Sequence, residues 1–591
     1  MAFDAGGGAV QDSRGGAHGE SGADGWLSRM ILSRPSPAVA LLVLVLAALV
    51  LPPFYYLVKT SLFTTEADGS FGAFTLEYYA ELAQSQTLVS DFGNSMRFAL
   101  GSALLAITLG TLQAWIVERT DTPLRQYVFL ISVISLGLPH VLYTSAWLLV
   151  LGKGGPFNAL FAAITGATGP VFDVYTMSGM ILIEGMLWTP LAFLLLSPVF
   201  RTTDSSFEEA AMMCGAGLAA TFRRVTLPLA TPALLALLLL IFIRAFEAFD
   251  IPALVGSAGD VSVLTTEVYN SIRKELPSNY GQAGAFSIIL MGAVIFLLTV
   301  QRRLLRDAER FQTITGKGYR PRMAALGRWR YLTAAALVLC FVILLVLPLG
   351  MVVLTSLVPF YDGVSAGMLA RASLANYALV FNSASFKGAI VNTLLLGAGT
   401  ATLVCLLTAG AAWLSARRAK GGWLLDQLAT APLVFPAIVL SVAFLQYFLN
   451  APFAIYGTVL SLVIAGTVQY LPYGMRFCYA GALQIHRELE EAAASAGAGR
   501  YITFRRVVMP LLAPTIITSW LFVMLLSVRA VAMPILLSGP KSQVVAVTLF
   551  ELWGNGQVTE LAAFGVIWSM FMMSIGVVFY LAAKRNGVSV Q

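Results

Sequence analysis

EEAAMMCGAGLAATFRRVTLPLATP, from Glu208 to Pro232, and EEAAASAGAGRYITFRRVVMPLLAP, from Glu490 to Pro514, are one segment written twice. Fifteen of the 25 positions are identical without a gap. Two apolar stretches can match by chance, but not while holding Phe-Arg-Arg-Val and two prolines in register. The repeat also reaches outward. Upstream, Asn94, Gly101, Trp115 and Arg119 match Asn392, Gly399, Trp413 and Arg417; downstream, Pro252 matches Pro534. The chain is two copies of one unit.

The surroundings of these segments decide what the unit is. Of 591 residues 58% are hydrophobic and 11% charged, whereas soluble domains carry about 25% charge. Apolar runs such as Ala38–Val50, Leu234–Ile243, Ile288–Val300 and Leu332–Leu347 extend through uncharged neighbours. Each reaches the roughly 20 residues needed to cross a hydrocarbon core. Twelve spans are expected, centred near residues 48, 106, 140, 189, 240, 292, 343, 403, 440, 468, 524 and 572. The third, ninth and tenth are weakest, because Pro, Gly and small polar residues interrupt them. The expected fold is therefore an all-α polytopic membrane protein, about twelve transmembrane helices in two homologous parallel repeats. Residues 31–303 form the first half, with a core at 85–303, and 331–591 the second, with a core at 390–583. Residues 1–30, Gly-rich and without an apolar run, read as a disordered cytoplasmic tail.

Charge orients the spans. Gln301–Arg330 carries nine Lys or Arg residues, and such density marks the cytoplasmic side. Residues 304–330 are accordingly read as a basic cytoplasmic linker. Alternating from it, Arg119, Arg125, Arg223, Arg224, Arg417, Arg418, Arg505 and Arg506 fall inside, and both termini come out cytoplasmic. The two repeated segments then lie on the same side, which makes the duplication parallel, about an axis along the membrane normal. The net charge of +7 follows from the same inside excess, so nucleic acid is not expected as a partner.

Each repeated segment has the makings of a rigid elbow. Glu-Glu-Ala-Ala is a good helix start, and Ala210, Ala211, Ala492 and Ala493 leave a closely approachable face. Gly215 and Gly497 break or turn that helix. Phe222 and Phe504 suit an apolar pocket. Arg223, Arg224, Arg505 and Arg506 suit the headgroup boundary or an acidic partner. Pro228 and Pro510 restrict the return into the membrane.

Other chemistries find little support. Cys214, Cys340, Cys405 and Cys478 have no metal or disulfide spacing, and His18, His140 and His486 are scattered. No GxxxxGK[ST] phosphate loop occurs. Arg244, Glu247 and Arg529 are charged residues within or beside spans and are candidates for lining a translocation path. Arg244 and Glu247, three apart, can share a helix face. A secondary transporter, the rival from another class, would need coupling-ion groups, and these three residues are thin evidence for them.

The repeated loops resemble the E-A-A-x-x-x-G motif, followed by F-x-x-V and two prolines, of ATP-driven (ABC) importer permeases. The match is Glu209, Ala210, Ala211 and Gly215, then Glu491, Ala492, Ala493 and Gly497. The resemblance implies that each loop is a coupling helix seated in a cytoplasmic ATP-binding subunit. It implies two copies of that subunit, which hold the ATP and Mg, and an extracytoplasmic substrate-binding protein. This chain itself would be a transport subunit, not an enzyme, without cofactor, in a bacterial inner membrane. Two fused cores, the linker sequence Thr315–Arg330 and the stretch Glu247–Val255 are similar to ferric-iron transport permeases, with thiamine, aminoalkylphosphonate and polyamine importers as relatives.

Overall fold

The computed structural model describes residues 36–66, 69–166, 169–275, 277–306, 323–363 and 366–585. The tail at 1–30 and most of the basic linker lie outside the described residues. The described chain is almost wholly helical; the β structure it contains is a short antiparallel pair, Phe63–Thr65 with Phe71–Phe74.

Among the described residues, nine helical segments are long and apolar enough to cross a membrane: 37–62, 86–119, 140–165, 177–202, 218–246, 280–304, 329–356, 384–416 and 500–529. A tenth follows if Gly422–Val434 and Ala437–Asn450, bent by 107° at their break, count as one span. Length and composition alone do not reach the sequence count of twelve. Val459–Gln484 is a 26-residue helix, but Gln469, Tyr470, Tyr473 and Arg476 make it too polar. The last helix, Val558–Arg585, is 28 residues long and apolar as far as Ala583, long enough to cross a hydrocarbon core. The expected weak third span is also explained. Its helix stops at Leu136 and resumes at His140, because Pro139 cannot continue the hydrogen-bond ladder.

The two halves repeat local detail. Thr176 accepts a hydrogen bond from the Gly179 N–H at 3.2 Å and opens the helix Met177–Thr202; Thr458 accepts one from Ser461 at 3.2 Å and opens Val459–Gln484. Each of these helices contains a proline at the matching place, Pro190 and Pro472, tolerable where neighbouring helices re-satisfy the backbone. Glycines let the helices approach: a Cβ on Gly185 would lie 2.7 Å from Leu105, and one on Gly466 would lie 2.8 Å from Thr400.

The halves are interleaved. Pro37–Leu62, opening the first half, packs against Ala437–Asn450 of the second. Reciprocally, Leu347–Ser356 of the second half packs against His140–Leu151 of the first. The second arms of both broken spans are therefore sheathed in protein, and Val141–Leu151 and Ile438–Gln446 are buried without interruption.

Candidate functional site

Each repeated segment folds as a short helix, a tight turn, a one-turn helix and then a long span. In the first, Asp204 opens the element: its Oδ1 accepts the Ser206 N–H at 2.9 Å, and that bond holds the Asp204 carboxyl below its ordinary range. Ser206–Met213 follows, with Glu208 and Glu209 in its first turn, where carboxylates favour the helix dipole. Gly215 then takes φ +84°. Its N–H bonds to Met212 O at 3.0 Å and the Ala216 N–H to Ala211 O at 3.0 Å, the paired closure of a Schellman turn. The second copy matches: helix Arg487–Ser495, Gly497 at φ +83°, and bonds from Gly497 to Ala494 and from Ala498 to Ala493, both 2.9 Å.

Beyond the turn, Leu218–Thr221 and Arg500–Thr503 run into one-turn π segments, Phe222–Thr226 and Phe504–Val508, and on into the spans. The phenylalanines meet aromatic partners: Phe222 lies 4.8 Å from Trp115, tilted by 51°, and Phe504 5.0 Å from Trp413, tilted by 36°. Arg223, Arg224, Arg505 and Arg506 are exposed, as are Pro228 and Pro510 at the entry to the spans. Ala210 and Ala492 are exposed, Ala211 and Ala493 half-buried. Glu209 is half-buried, and Glu491 is exposed beside Arg487 at 3.2 Å. Phe207, Met213, Leu489 and Tyr501 are large apolar side chains left exposed on these elements.

What anchors the elbows was not singled out in the sequence. Glu208, the acid just before Glu209, is buried, 3.6 Å from Arg119, and accepts the Thr226 hydroxyl at 2.7 Å. Its counterpart Glu490 lies 2.7 Å from Arg417 and accepts the Trp413 indole N–H at 3.1 Å. Each carboxylate thus ties its loop to the end of a span. The Arg417–Glu490 pair is hydrogen-bonded, at 2.8 Å from Nε, and such charge-assisted bonds contribute about 1.5–3 kcal/mol; Arg119–Glu208 is an ion pair without a hydrogen bond. The signal was present: the repeat alignment already paired Trp115 and Arg119 with Trp413 and Arg417. The first elbow has an extra wall. Thr120 and Ala324, at the end of the linker, form a β-bridge, with Ala324 N–H to Arg119 O at 2.9 Å, and Ala324 lines a small cleft together with Glu209 and Met212.

The three charged span residues are only partly gathered. Arg244 and Glu247 pair at 3.2 Å, and Arg244 also donates to the Tyr473 hydroxyl of the other half at 2.9 Å. Arg529, aligned with Glu247, does not meet it; it donates to the Leu136 carbonyl of the first half at 2.7 Å. Among the described residues, no group of three or more His, Cys, Asp or Glu is placed to hold a metal, and all four cysteines are free.

The family model described as "binding-protein-dependent transport system inner membrane component" matches residues 106–307 and 406–586, well over half of the chain and once in each half. The chain belongs to this family. It is therefore a membrane component of a transport system, a transport subunit and not an enzyme. Similar proteins include a putative ferric transport system permease of Haemophilus influenzae, 26% identical over 377 residues, 63% of this chain and 58% of that relative. Another is the ferric transport system permease of Actinobacillus pleuropneumoniae, 25% identical over 408 residues, 68% of this chain and again 58% of the relative. The chain thus covers less than two thirds of either. A putative 2-aminoethylphosphonate transport system permease of Salmonella paratyphi A is 28% identical over 270 residues, 46% of this chain and 91% of its own length.

Proposed function

We propose that this chain is the transmembrane permease subunit of an ATP-driven, binding-protein-dependent importer in a bacterial inner membrane. The observation that carries the reading is the pair of elbows. Two helices of matching build each end at a left-handed glycine, each tied to its span by a carboxylate, and each presents exposed apolar side chains. A soluble protein seated on one would fit the other, and force on either helix passes into the span through the Glu208–Arg119 or Glu490–Arg417 contact. Glu209, Ala210, Ala211 and Gly215, with Glu491, Ala492, Ala493 and Gly497, are the surface for two copies of an ATP-binding subunit. Phe222, Arg223, Arg224 and Pro228, with Phe504, Arg505, Arg506 and Pro510, anchor the loops. Arg244, Glu247 and Arg529 line the path.

Twelve crossings with both termini cytoplasmic suit this reading. The nine apolar spans, the bent pair, Val459–Gln484 and Val558–Arg585 supply them, six in each half. Ferric iron is the first choice of substrate, supported by the ferric permeases among the similar proteins; aminoalkylphosphonate, thiamine and polyamine are the alternatives within the same class. Ligand identification on the cognate binding protein tests the substrate: thiamine or a polyamine bound there, without iron, rejects the first choice. Retention of the partner ATPase on the affinity-purified chain tests the class, and hydrolysis-independent uptake driven by an ion gradient would replace it with secondary transport.

A further inference from the structure

The charged residues that reach across the junction of the halves are unequally matched. Leu136 ends the helix Arg125–Leu136 of the first half and Arg529 ends the span 500–529 of the second, so their contact crosses the junction of the halves. The free carbonyls at that helix end supply partial negative charge. Arg529 is half-buried, yet among the described residues its one hydrogen bond is to Leu136, and no carboxylate stands within ion-pair distance. Most of its five N–H donors are left to whatever enters the junction.

The acids nearby are already engaged. Glu247 is bound by Arg244, Asp250 Oδ2 stands 3.3 Å from His140 Nδ1, and Glu184 accepts the Trp188 indole N–H at 2.8 Å. Side chains here are not sealed within the chain: Arg244 is 34% exposed and His140 26%. Aromatic rings link the two arginines: Tyr473, which accepts from Arg244, has its ring 6.2 Å from that of Tyr470, and the Tyr470 hydroxyl donates at 3.2 Å to the carbonyl of Leu526, one turn before Arg529. A guanidinium kept inside a membrane without a carboxylate is expensive. Its planar fork matches a carboxylate or phosphonate, which can accept two of its bonds at once.

We propose that Arg529, with Arg244 from the opposite half, forms an oxyanion site that the transported substrate engages by a carboxylate or phosphonate group as it crosses the junction. The proposal rests on the importer reading and sharpens it: the substrate is an anion-bearing molecule or an anionic metal chelate, not a bare organic cation.

The test uses the full chain in lipid nanodiscs with its ATPase bound, and reads the shift in melting temperature produced by four probes: 2-aminoethylphosphonate, ferric citrate, thiamine and putrescine. A phosphonate or citrate response, at constant ionic strength, is expected, and which of the two responds separates a phosphonate from a chelate. In Arg529→Gln the half-saturating concentration should rise roughly ten- to hundredfold, the worth of a charge-assisted bond. Arg529→Lys should fall between, and guards against a variant that fails to fold. Stabilisation by thiamine or putrescine alone, no response to any probe, or an anion response unchanged in Arg529→Gln overturns the proposal. If the ATPase fails to bind while the anion response remains, the importer reading fails and the site stands.

Discussion

Substitution at Gly215 and Gly497 separates two reasons for having glycine in the elbows. One is the backbone: at φ +84° and +83° an L-residue is strained by roughly 1–2 kcal/mol, enough to thin the turn population about 5- to 30-fold. The other is clearance, a partner pressed so close that no side chain fits. Within the chain itself there is no obstacle, because a Cβ at either position meets nothing within 4 Å. The series Asn, Ala, Val in the double variant tells the two apart. Asn enters the left-handed region readily and Val least, so a backbone cause ranks the losses Asn, then Ala, then Val. Clearance ranks them by size, with Ala mildest. Co-purified ATPase and transport-coupled hydrolysis in proteoliposomes are the readouts, with membrane insertion unchanged, since the spans supply most of the buried apolar surface. The double variant should lose far more than either single one. A Gly215→Val/Gly497→Val chain with normal ATPase retention and uptake would refute the role of both loops.

Cys214, exposed beside the first turn, should react with a membrane-impermeant maleimide in inside-out vesicles and be shielded when the ATPase is seated; Cys405 and Cys478 are buried and should stay silent. Arg417→Ala leaves the half-buried Glu490 without its ion-pair partner and should loosen residues 487–508 to proteolysis, by about 1.5–3 kcal/mol. Arg487→Ala breaks an exposed pair, 77% and 63% accessible, and should change stability by under about 1 kcal/mol. The Ser206 N–H lowers the Asp204 carboxyl from its ordinary 3.8, so its contribution is whole above that value and is lost as pH falls through the lowered one. Hydrogen exchange in the first turn of Ser206–Met213 should therefore accelerate only below about pH 4.

Legibility followed the kind of force involved. The long apolar runs could be read because a hydrocarbon core imposes length and composition on every span, and eight expected centres fall within single apolar helices. The count weakened where that rule does. Val459–Gln484 is polar because it is lined by protein, with Tyr473 bonded to Arg244 of the other half. The turns at Gly215 and Gly497 were legible because glycine has a local reason to be there. The Glu208–Arg119 and Glu490–Arg417 ties are not local: two spans separate the partners in sequence, and a single chain shows such pairs only through its repeat. The reach of Arg529 to Leu136 left no trace in the sequence, since a backbone carbonyl belongs to every residue.

The π turns carry a chronology. A π turn holds one residue more than the α turn it replaces, so each marks an insertion in a helix. Phe222–Thr226 and Phe504–Val508 occupy the same aligned place, and one event copied is simpler than the same event twice. The insertion therefore came before the doubling. The π turn at Pro252–Gly256 faces a plain α turn at Pro534–Leu537, so the copies parted there afterwards. Before the doubling, a protein with a single elbow and a single broken span could enclose a path only by pairing with its twin, as a symmetric dimer. Joining the twins in one chain freed each half to change alone, and an arginine at 529 in the aligned place of the glutamate at 247 is what such freedom permits: two halves that no longer match, which no pair of identical subunits could have made.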